Sequence, residues 1–185
     1  MPPMEITPTL YVAHREEWRQ WLAAHHATVP CIWLLSYAAT SAMPSLPYLQ
    51  AVEEALCFGW IDGIAKRLDA ERVGQRFSPR RPRSHWTELN KERARRCIAA
   101  GRMTDAGRAT LPDLALESFR IPDDILTALR ADTQTWANFQ QFPPLYQRIR
   151  ISYIAEVRSQ PPVFTQRLDH FLRQTHLNKR FGTME

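Results

Sequence analysis

Nine consecutive residues near the middle of the chain carry its densest group of side chains able to recognise an anion. Residues 76–84 contain four arginines, two serines and two prolines, but no Asp or Glu. Guanidinium groups bind carboxylates and phosphates through paired N–H donors. Pro79 and Pro82 stiffen the segment, which leads into a predicted helix start, where free amides favour an anion. An anion site and a solvated basic loop with an ordinary helix cap are both open interpretations.

One carboxylate is expected near this loop. Asp62 lies between two glycines, at the start of a predicted strand. It could form a structural bridge with Arg76 or Arg80, or act as an acid or base if it is partly desolvated. Taken alone, the pattern favours the bridge. Glu53 and Glu54, near the end of the preceding predicted helix, are expected to face solvent.

The basic charge is local rather than spread over the whole chain. The 185 residues carry a formal net charge of +5, whereas residues 66–96 hold 11 basic and 4 acidic side chains, a net charge of +7. The remainder of the chain is therefore slightly acidic. A local anion site agrees better with this distribution than a uniformly basic surface does.

The sequence predicts neither a metal nor a cofactor. Cys31, Cys57 and Cys97 are well separated and form no CxxC motif, so they are interpreted as packed core cysteines in a reducing compartment. The glycine-rich phosphate loops and the GxSxG nucleophile elbow are absent, and no histidine pair has the spacing for two ligands on one helical face. No enzyme class follows from these residues.

The chain is expected to be cytoplasmic. The segment Met1–Val12 has no basic residue and no following apolar stretch of signal-peptide length. Residues 20–52 contain no Asp, Glu, Lys or Arg, but histidines and prolines interrupt them. This segment is therefore not expected to span a membrane.

Around the chemical residues, the first hundred positions predict an α+β fold with a small antiparallel sheet and packed helices. Helical periodicity indicates helices over 15–25, about 47–57 and 87–100. A short strand is expected over 31–38, and a hairpin over 60–68 and 72–78. The earlier strand could pair with this hairpin.

From Thr104 onward the strand signals disappear. Periodic segments near 123–131, 132–141, 144–158 and 163–175 predict an all-helical unit. The apolar side chains expected to form its core are Ile125, Leu129, Trp136, Phe139, Ile151 and Ile154. The predicted domains are therefore 1–103, which is α+β, and 104–185, which is helical and expected to pack on the first.

Several ordered blocks of this sequence resemble the bacteriocin-protection family, also called YdeI/OmpD-associated. These blocks are 53–63, 76–82, 84–87 with Asn90, 101–103 and 106–107. The helical end also resembles the C-terminal module of that family. The resemblance implies a bacterial protein associated with resistance to bacteriocins, antimicrobial peptides or stress, and it supplies no reaction, cofactor or catalytic residue.

We call residues 76–84 the arginine loop. The leading hypothesis is that a small anionic ligand binds where the hairpin, the arginine loop and the start of the next helix meet. Its predicted ligand-binding residues are Trp60, Asp62, Arg76, Arg80, Arg81, Ser84, Trp86 and Asn90. Three alternatives remain: nucleic-acid binding through residues 66–96, an enzyme with Asp62 or Glu54 as general base, and a protein partner docked on the helical end.

Overall fold

A four-stranded sheet forms one layer of the N-terminal part of the protein. The computed structural model describes residues 6–182, so positions 1–5 of the segment behind the secretion prediction lie outside the described residues. The strands are β1 (Thr9–Tyr11), β2 (Ile32–Tyr37), β3 (Trp60–Arg67) and β4 (Arg72–Pro79), in the order β1-β2-β4-β3. The predicted hairpin is confirmed, because β3 pairs antiparallel with β4, and β2 is its antiparallel neighbour.

The first strand makes the sheet mixed, which corrects the expectation of a purely antiparallel one. β1 pairs parallel with β2, and Leu10 aligns with Leu34. The amide of Trp33 also donates to the Pro8 carbonyl at 3.0 Å. A strand of only three residues carries no readable alternation. The sequence therefore gave no signal for it.

Four helices accompany the sheet, and large apolar side chains join some of them to it. They are α1 (Arg15–His25), α2 (Tyr48–Cys57), α3 (Glu88–Ala99) and the short, unpredicted α4 (Asp105–Arg108). Trp18 of α1 is fully buried, its ring centroid lies 5.4 Å from that of Phe77, and its indole N–H donates to the Ala51 carbonyl at 3.0 Å. One side chain thus joins α1, α2 and β4.

The described chain forms two compact units. The first unit consists of residues 6–84 and 93–112, and the second of residues 85–92 and 113–182. The helix α3 contributes to both units, since its residues up to 92 belong to the second. The two units are defined by their compactness. The predicted domain boundary after residue 103 stays a prediction.

The second unit is helical, as predicted. After a single 3₁₀ turn at Leu116–Ser118 it contains α5 (Asp123–Arg130), α6 (Thr133–Gln141), α7 (Pro144–Ala155) and α8 (Pro161–His176). A proline begins both α7 and α8, at positions where the missing amide leaves no hydrogen bond unmade. Together with the sheet and helices of the first unit, these elements make the fold α+β.

The six apolar residues expected to form the core of the second unit pack into one cluster. Five of them are buried members of it, and Trp136 is partly buried against it. Phe139 and Phe171 meet edge to face, with ring centroids 6.2 Å apart. The 3.6-residue periodicity therefore identified both the helices and their inward faces.

Asp132 caps α6 and predicts an acid-dependent stability of the second unit. Its carboxylate accepts hydrogen bonds from the amide and hydroxyl of Thr135, at 2.7 and 2.6 Å, and lies 3.0 Å from Nδ1 of His176. The Thr135 hydroxyl first, and then His176, lower the pKa of Asp132 from its ordinary 3.8 to about 2. The stabilisation is then full above the unfolded-state pKa, and it is lost as the pH falls from about 4 to about 2.

Asp132→Asn should therefore lower the melting temperature at pH 6 and much less at pH 2. Thermal unfolding of the full chain across this pH range measures the difference. Asp169→Asn, at an exposed position of α8, is the control and should leave the profile unchanged. An equal effect of Asp132→Asn at both pH values would show that its charge is not responsible.

Candidate functional site

The turn that enters β3 holds the arginine loop in place. Gly59 ends α2 with a φ of +74°, a left-handed conformation that glycine adopts without strain. Its carbonyl accepts a hydrogen bond from the amide of Arg80 at 2.9 Å. Trp60 pairs with Pro79 at the adjoining end of the hairpin. The backbone of Arg80 is thus fixed to the junction between α2 and β3.

Arg80 is the most buried arginine of this loop. The residue is 7% exposed, and its Nη1 donates to the Ser84 hydroxyl at 3.3 Å. Burial lowers the pKa of Arg80 to about 10, while the nearby charge of Asp62 acts in the opposite direction. The guanidinium therefore remains charged at neutral pH in surroundings that solvate it poorly, where an anion is attracted more strongly than in open water.

Asp62 is held by a tyrosine that the sequence did not single out as functional. Tyr48, the first residue of α2, donates its hydroxyl proton to Asp62 at 2.6 Å. Tyr48 is half exposed, and its partial burial, followed by this hydrogen bond, raises the pKa of Tyr48 to about 12. Its phenol remains protonated at neutral pH. It therefore acts here as a hydrogen-bond donor rather than as an acid that releases its proton.

Two further arginines of the first unit have different surroundings. Nη1 of Arg76 donates to the hydroxyl of Ser78 at 3.4 Å. The charge of Arg93 acts on Tyr48, and Arg93 is nearly fully buried. Sequence reasoning missed Arg93, although a signal was present: it lies four residues before Cys97, on the buried face of α3. A charged residue at such a position indicates a specific electrostatic environment.

The structure places the eight predicted site residues in different surroundings. Ser84 contacts Arg80, and the charge of Asp62 acts on Arg80, so these three residues lie close together. Arg76 instead contacts Ser78 and lies on the face of β4 opposite to Phe77, the strand partner of Asp62, and Arg81 is exposed. Trp60 belongs to the core of that unit, since its indole N–H donates to the His26 carbonyl at 3.1 Å and its ring packs against Trp21.

Trp86 and Asn90 belong to the second unit. Trp86 is buried, and the amide of Asn90 donates to the Thr87 hydroxyl at 3.2 Å, which caps the start of α3. The participation of these two residues in one site with the arginine loop stays a prediction.

A separate group of charges surrounds two buried glutamates. The expectation that Glu53 and Glu54 face solvent is wrong, because both are buried. Nε of Arg15 lies 2.5 Å from Glu54, and Nη1 of Arg19 lies 2.6 Å from its other oxygen. Arg15 also reaches Glu53 at 2.8 Å, and Arg102 does so at 3.2 Å. We call these five residues the carboxylate cluster.

Two cysteines lie next to the carboxylate cluster. Cys57 and Cys97 are fully buried, and Nη2 of Arg102 lies 3.8 Å from the Cys97 sulfur. The hydrogen bond between the two thiols raises the pKa of Cys57 and lowers that of Cys97. Both thiols are packed inside the first unit, in agreement with the expectation of core cysteines, whereas Cys31 is only partly buried.

The fold is that of an α+β chain in which a helical part follows the sheet. Residues 118–177 match the family described as bacteriocin-protection, YdeI or OmpD-associated, which confirms the predicted resemblance. Residues 10–110 match a domain of unknown function, DUF8412. Because this second match covers more than half of the chain, the protein belongs to the DUF8412 family. No curated protein and no solved structure matches the chain.

The two matches divide the resemblance. The blocks over residues 53–107 lie within the DUF8412 match, whereas the helical end, which also suggested the family, carries the bacteriocin-protection match. The arginine loop is thus a feature of the DUF8412 part. None of the helices over residues 6–182 has the length and apolar character needed to cross a membrane.

Proposed function

We propose that the first unit binds a small anion of the phosphate or carboxylate type through Arg80 and Ser84, and that this binding serves bacteriocin, antimicrobial-peptide or stress resistance in the cytoplasm. The observation that carries the proposal is the buried, charged Arg80 at the base of a segment with four arginines and no acidic residue. The bacteriocin-protection match of the second unit supports the biological setting.

The geometry favours a small ligand. Asp62 is the acidic residue whose charge acts on Arg80, and it already accepts the Tyr48 hydroxyl proton. The serine hydroxyl beside the guanidinium adds a second donor to an incoming oxygen. A few charged donors fixed by a backbone hydrogen bond to Gly59 suit a compact anion. An extended polyanion instead requires many exposed cations along a face.

Arg80→Gln should weaken binding of inorganic phosphate or pyrophosphate at least tenfold. The change removes a charged donor, and hydrogen bonds to charged groups contribute about 1.5–3 kcal/mol. Isothermal titration calorimetry of the full chain with each anion, at low ionic strength, measures the effect. Arg108→Gln, which neutralises an exposed arginine of the same unit, is the matched control and should bind like the parent protein.

Equal affinities of the parent and Arg80→Gln proteins would end the proposal. Circular dichroism first establishes that the variant is folded, and Ser84→Ala provides a second variant if it is not, because the Ser84 hydroxyl contacts Arg80. A single-stranded oligonucleotide tests the nucleic-acid alternative in parallel. If Arg67→Gln, in the exposed part of the basic segment, weakens oligonucleotide binding as much as Arg80→Gln does, a polyanion surface replaces the small-anion site.

Expression in a bacterial strain whose own copy of the gene is deleted tests whether anion binding is needed for resistance. Expression of the parent protein should raise survival under bacteriocin challenge, and expression of Arg80→Gln at equal abundance should not. Equal protection by both proteins would separate the arginine site from resistance.

A further inference from the structure

A cavity of about 560 Å³ lies within the second unit, to which all of its lining residues belong. Its apolar wall contains Leu89 from the start of α3, Ile149 and Tyr153 from α7, and Phe181 after α8. This volume is in the range of sites that enclose small organic molecules. The predominantly apolar wall favours a ligand with a hydrophobic body.

One positively charged side chain, that of Arg150, contributes to the wall of this cavity. Arg150 is 7% exposed, and its guanidinium carbon lies 5.8, 5.6 and 5.5 Å from the ring centroids of Tyr146, Tyr153 and Phe181. Burial lowers the pKa of Arg150. Aromatic faces attract a guanidinium without accepting conventional hydrogen bonds. Since this group has five N–H donors, it can receive a ligand oxygen in addition to its other contacts.

Two hydroxyl groups add donors to the same wall. The Thr87 oxygen accepts a hydrogen bond from the amide of Asn90, and the Ser152 oxygen accepts one from the amide of Glu88, both at 3.2 Å. Each oxygen already accepts a backbone hydrogen bond and keeps a proton to donate. An oxygen-rich, negatively charged head group suits two hydroxyl donors and a guanidinium.

The acidic residue of the wall is already neutralised. Glu156 lies 3.3 Å from Nη1 of Arg167, whose guanidinium carbon stands 3.7 Å above the ring of Tyr153. Arg167 also donates to the Tyr153 carbonyl at 2.6 Å. This ion pair offsets the repulsion that Glu156 would exert on an anion. Arg167 thereby also holds Tyr153, which is partly exposed, at the edge of the cavity.

We propose that this cavity binds a small amphiphilic organic anion, with its apolar body against Leu89, Ile149 and Phe181 and its charged head at Arg150. The ligand class differs from that of the arginine loop, because it requires both an apolar body and a negative charge. A medium-chain carboxylate such as octanoate has both features.

Fluorescence of 8-anilinonaphthalene-1-sulfonate, an aromatic anion that brightens in apolar surroundings, tests this proposal on the full chain. Octanoate should displace the dye at concentrations at least tenfold lower than octanol, which has the same chain without a charge. Arg150→Gln should weaken the affinities for dye and octanoate at least tenfold. Arg130→Gln is the matched control, because it alters an arginine that lies over Trp136 elsewhere in the second unit.

Leu89→Trp keeps the test decisive if Arg150→Gln fails to fold, because the larger ring should fill the cavity and abolish displaceable dye binding. A folded Leu89→Trp protein with parental dye affinity would overturn the proposal, as would equal displacement by octanoate and octanol. Arg80→Gln should leave dye binding unchanged, so that this proposal and the phosphate site can fail separately.

Discussion

Glu54→Gln is expected to lower the free energy of unfolding of the first unit by about 3 kcal/mol. Removing one partner of a buried ion pair typically costs about 3–5 kcal/mol, because the remaining charges stay buried without compensation. The side chain of Glu54 is 1% exposed, and its two oxygens receive Arg15 at 2.5 Å and Arg19 at 2.6 Å. The amide of glutamine has nearly the same shape but carries no charge.

The cost arises chiefly from the arginines that remain. Without the charge of Glu54, Glu53 would remain the carboxylate partner of Arg15 and Arg102, and the ion pair of Arg19 would be lost. The side chains of these arginines are 20–36% exposed. The glutamine NH₂ group would also point a donor toward a guanidinium, where only an acceptor is favourable. Partial exposure of the arginines to water moderates the loss, which places the expected value at the lower end of the range.

Native-state hydrogen exchange of the amides in the β2–β4 ladder measures this prediction within the first unit. Glu16→Gln makes the same chemical change at an exposed position of α1, and it should alter stability by less than about 0.5 kcal/mol. If Glu54→Gln destabilised the unit no more than Glu16→Gln does, the carboxylate cluster would contribute no net stability.

The carboxylate cluster also shows where sequence reasoning stops. Helical periodicity identified α2, but it treated Glu53 and Glu54 as an exposed polar pair because surface glutamates are the common case. Their partners Arg15 and Arg102 are 38 and 49 residues away in the chain. No local pattern reports such distant pairing. Only the packing of α1 and of the segment after α3 against α2 brings these charges together.

Most of the fold could be predicted because its main elements have either a clear hydrophobic periodicity or residues that typically end a helix or strand. Gly59 and Gly101 both have positive φ and lie just after α2 and α3, where a C-terminal stop was predicted. The hairpin followed from two β-rich segments around a short turn. The misses, β1 and α4, have three and four residues, too few for a period to emerge.

The arginine site was readable in part for a different reason. The sequence pattern favoured a bridge from Asp62 to Arg76 or Arg80, and the charge of Asp62 does act on Arg80. The aromatic residue Trp60 was assigned to the ligand, yet it fills the core. An aromatic side chain at the start of a strand has the same sequence signature in both roles. Only the structure distinguishes the two roles, because it shows the indole of Trp60 bonded to the carbonyl of His26.

Gly107→Ala is expected to lower the stability of the first unit by about 2 kcal/mol, because the backbone of Cys57 lies very close to Gly107. No sequence motif predicts this contact. A Cβ atom at this position would lie 2.7 Å from the carbonyl carbon of Cys57 and 2.5 Å from the sulfur of Met103. The methionine side chain can move, but the Cys57 carbonyl cannot do so freely, because it accepts hydrogen bonds from the amide and hydroxyl of Thr104 at 3.1 and 2.6 Å. Overpacking of this kind costs about 1–3 kcal/mol or more, and the helical preference of alanine offsets less than about 1 kcal/mol.

Gly63→Ala is the matched control, since the nearest neighbour of its added Cβ would be the Arg76 carbonyl oxygen at an ordinary 3.7 Å. Hydrogen exchange in the first unit should show a loss of stability for Gly107→Ala that Gly63→Ala does not share. The same variant should also weaken phosphate binding. A Cβ at position 107 pushes on the end of α2, and two residues later the Gly59 carbonyl holds the amide of Arg80 at 2.9 Å. A destabilised Gly107→Ala protein with parental phosphate affinity would show that the arginine loop keeps its position without that turn.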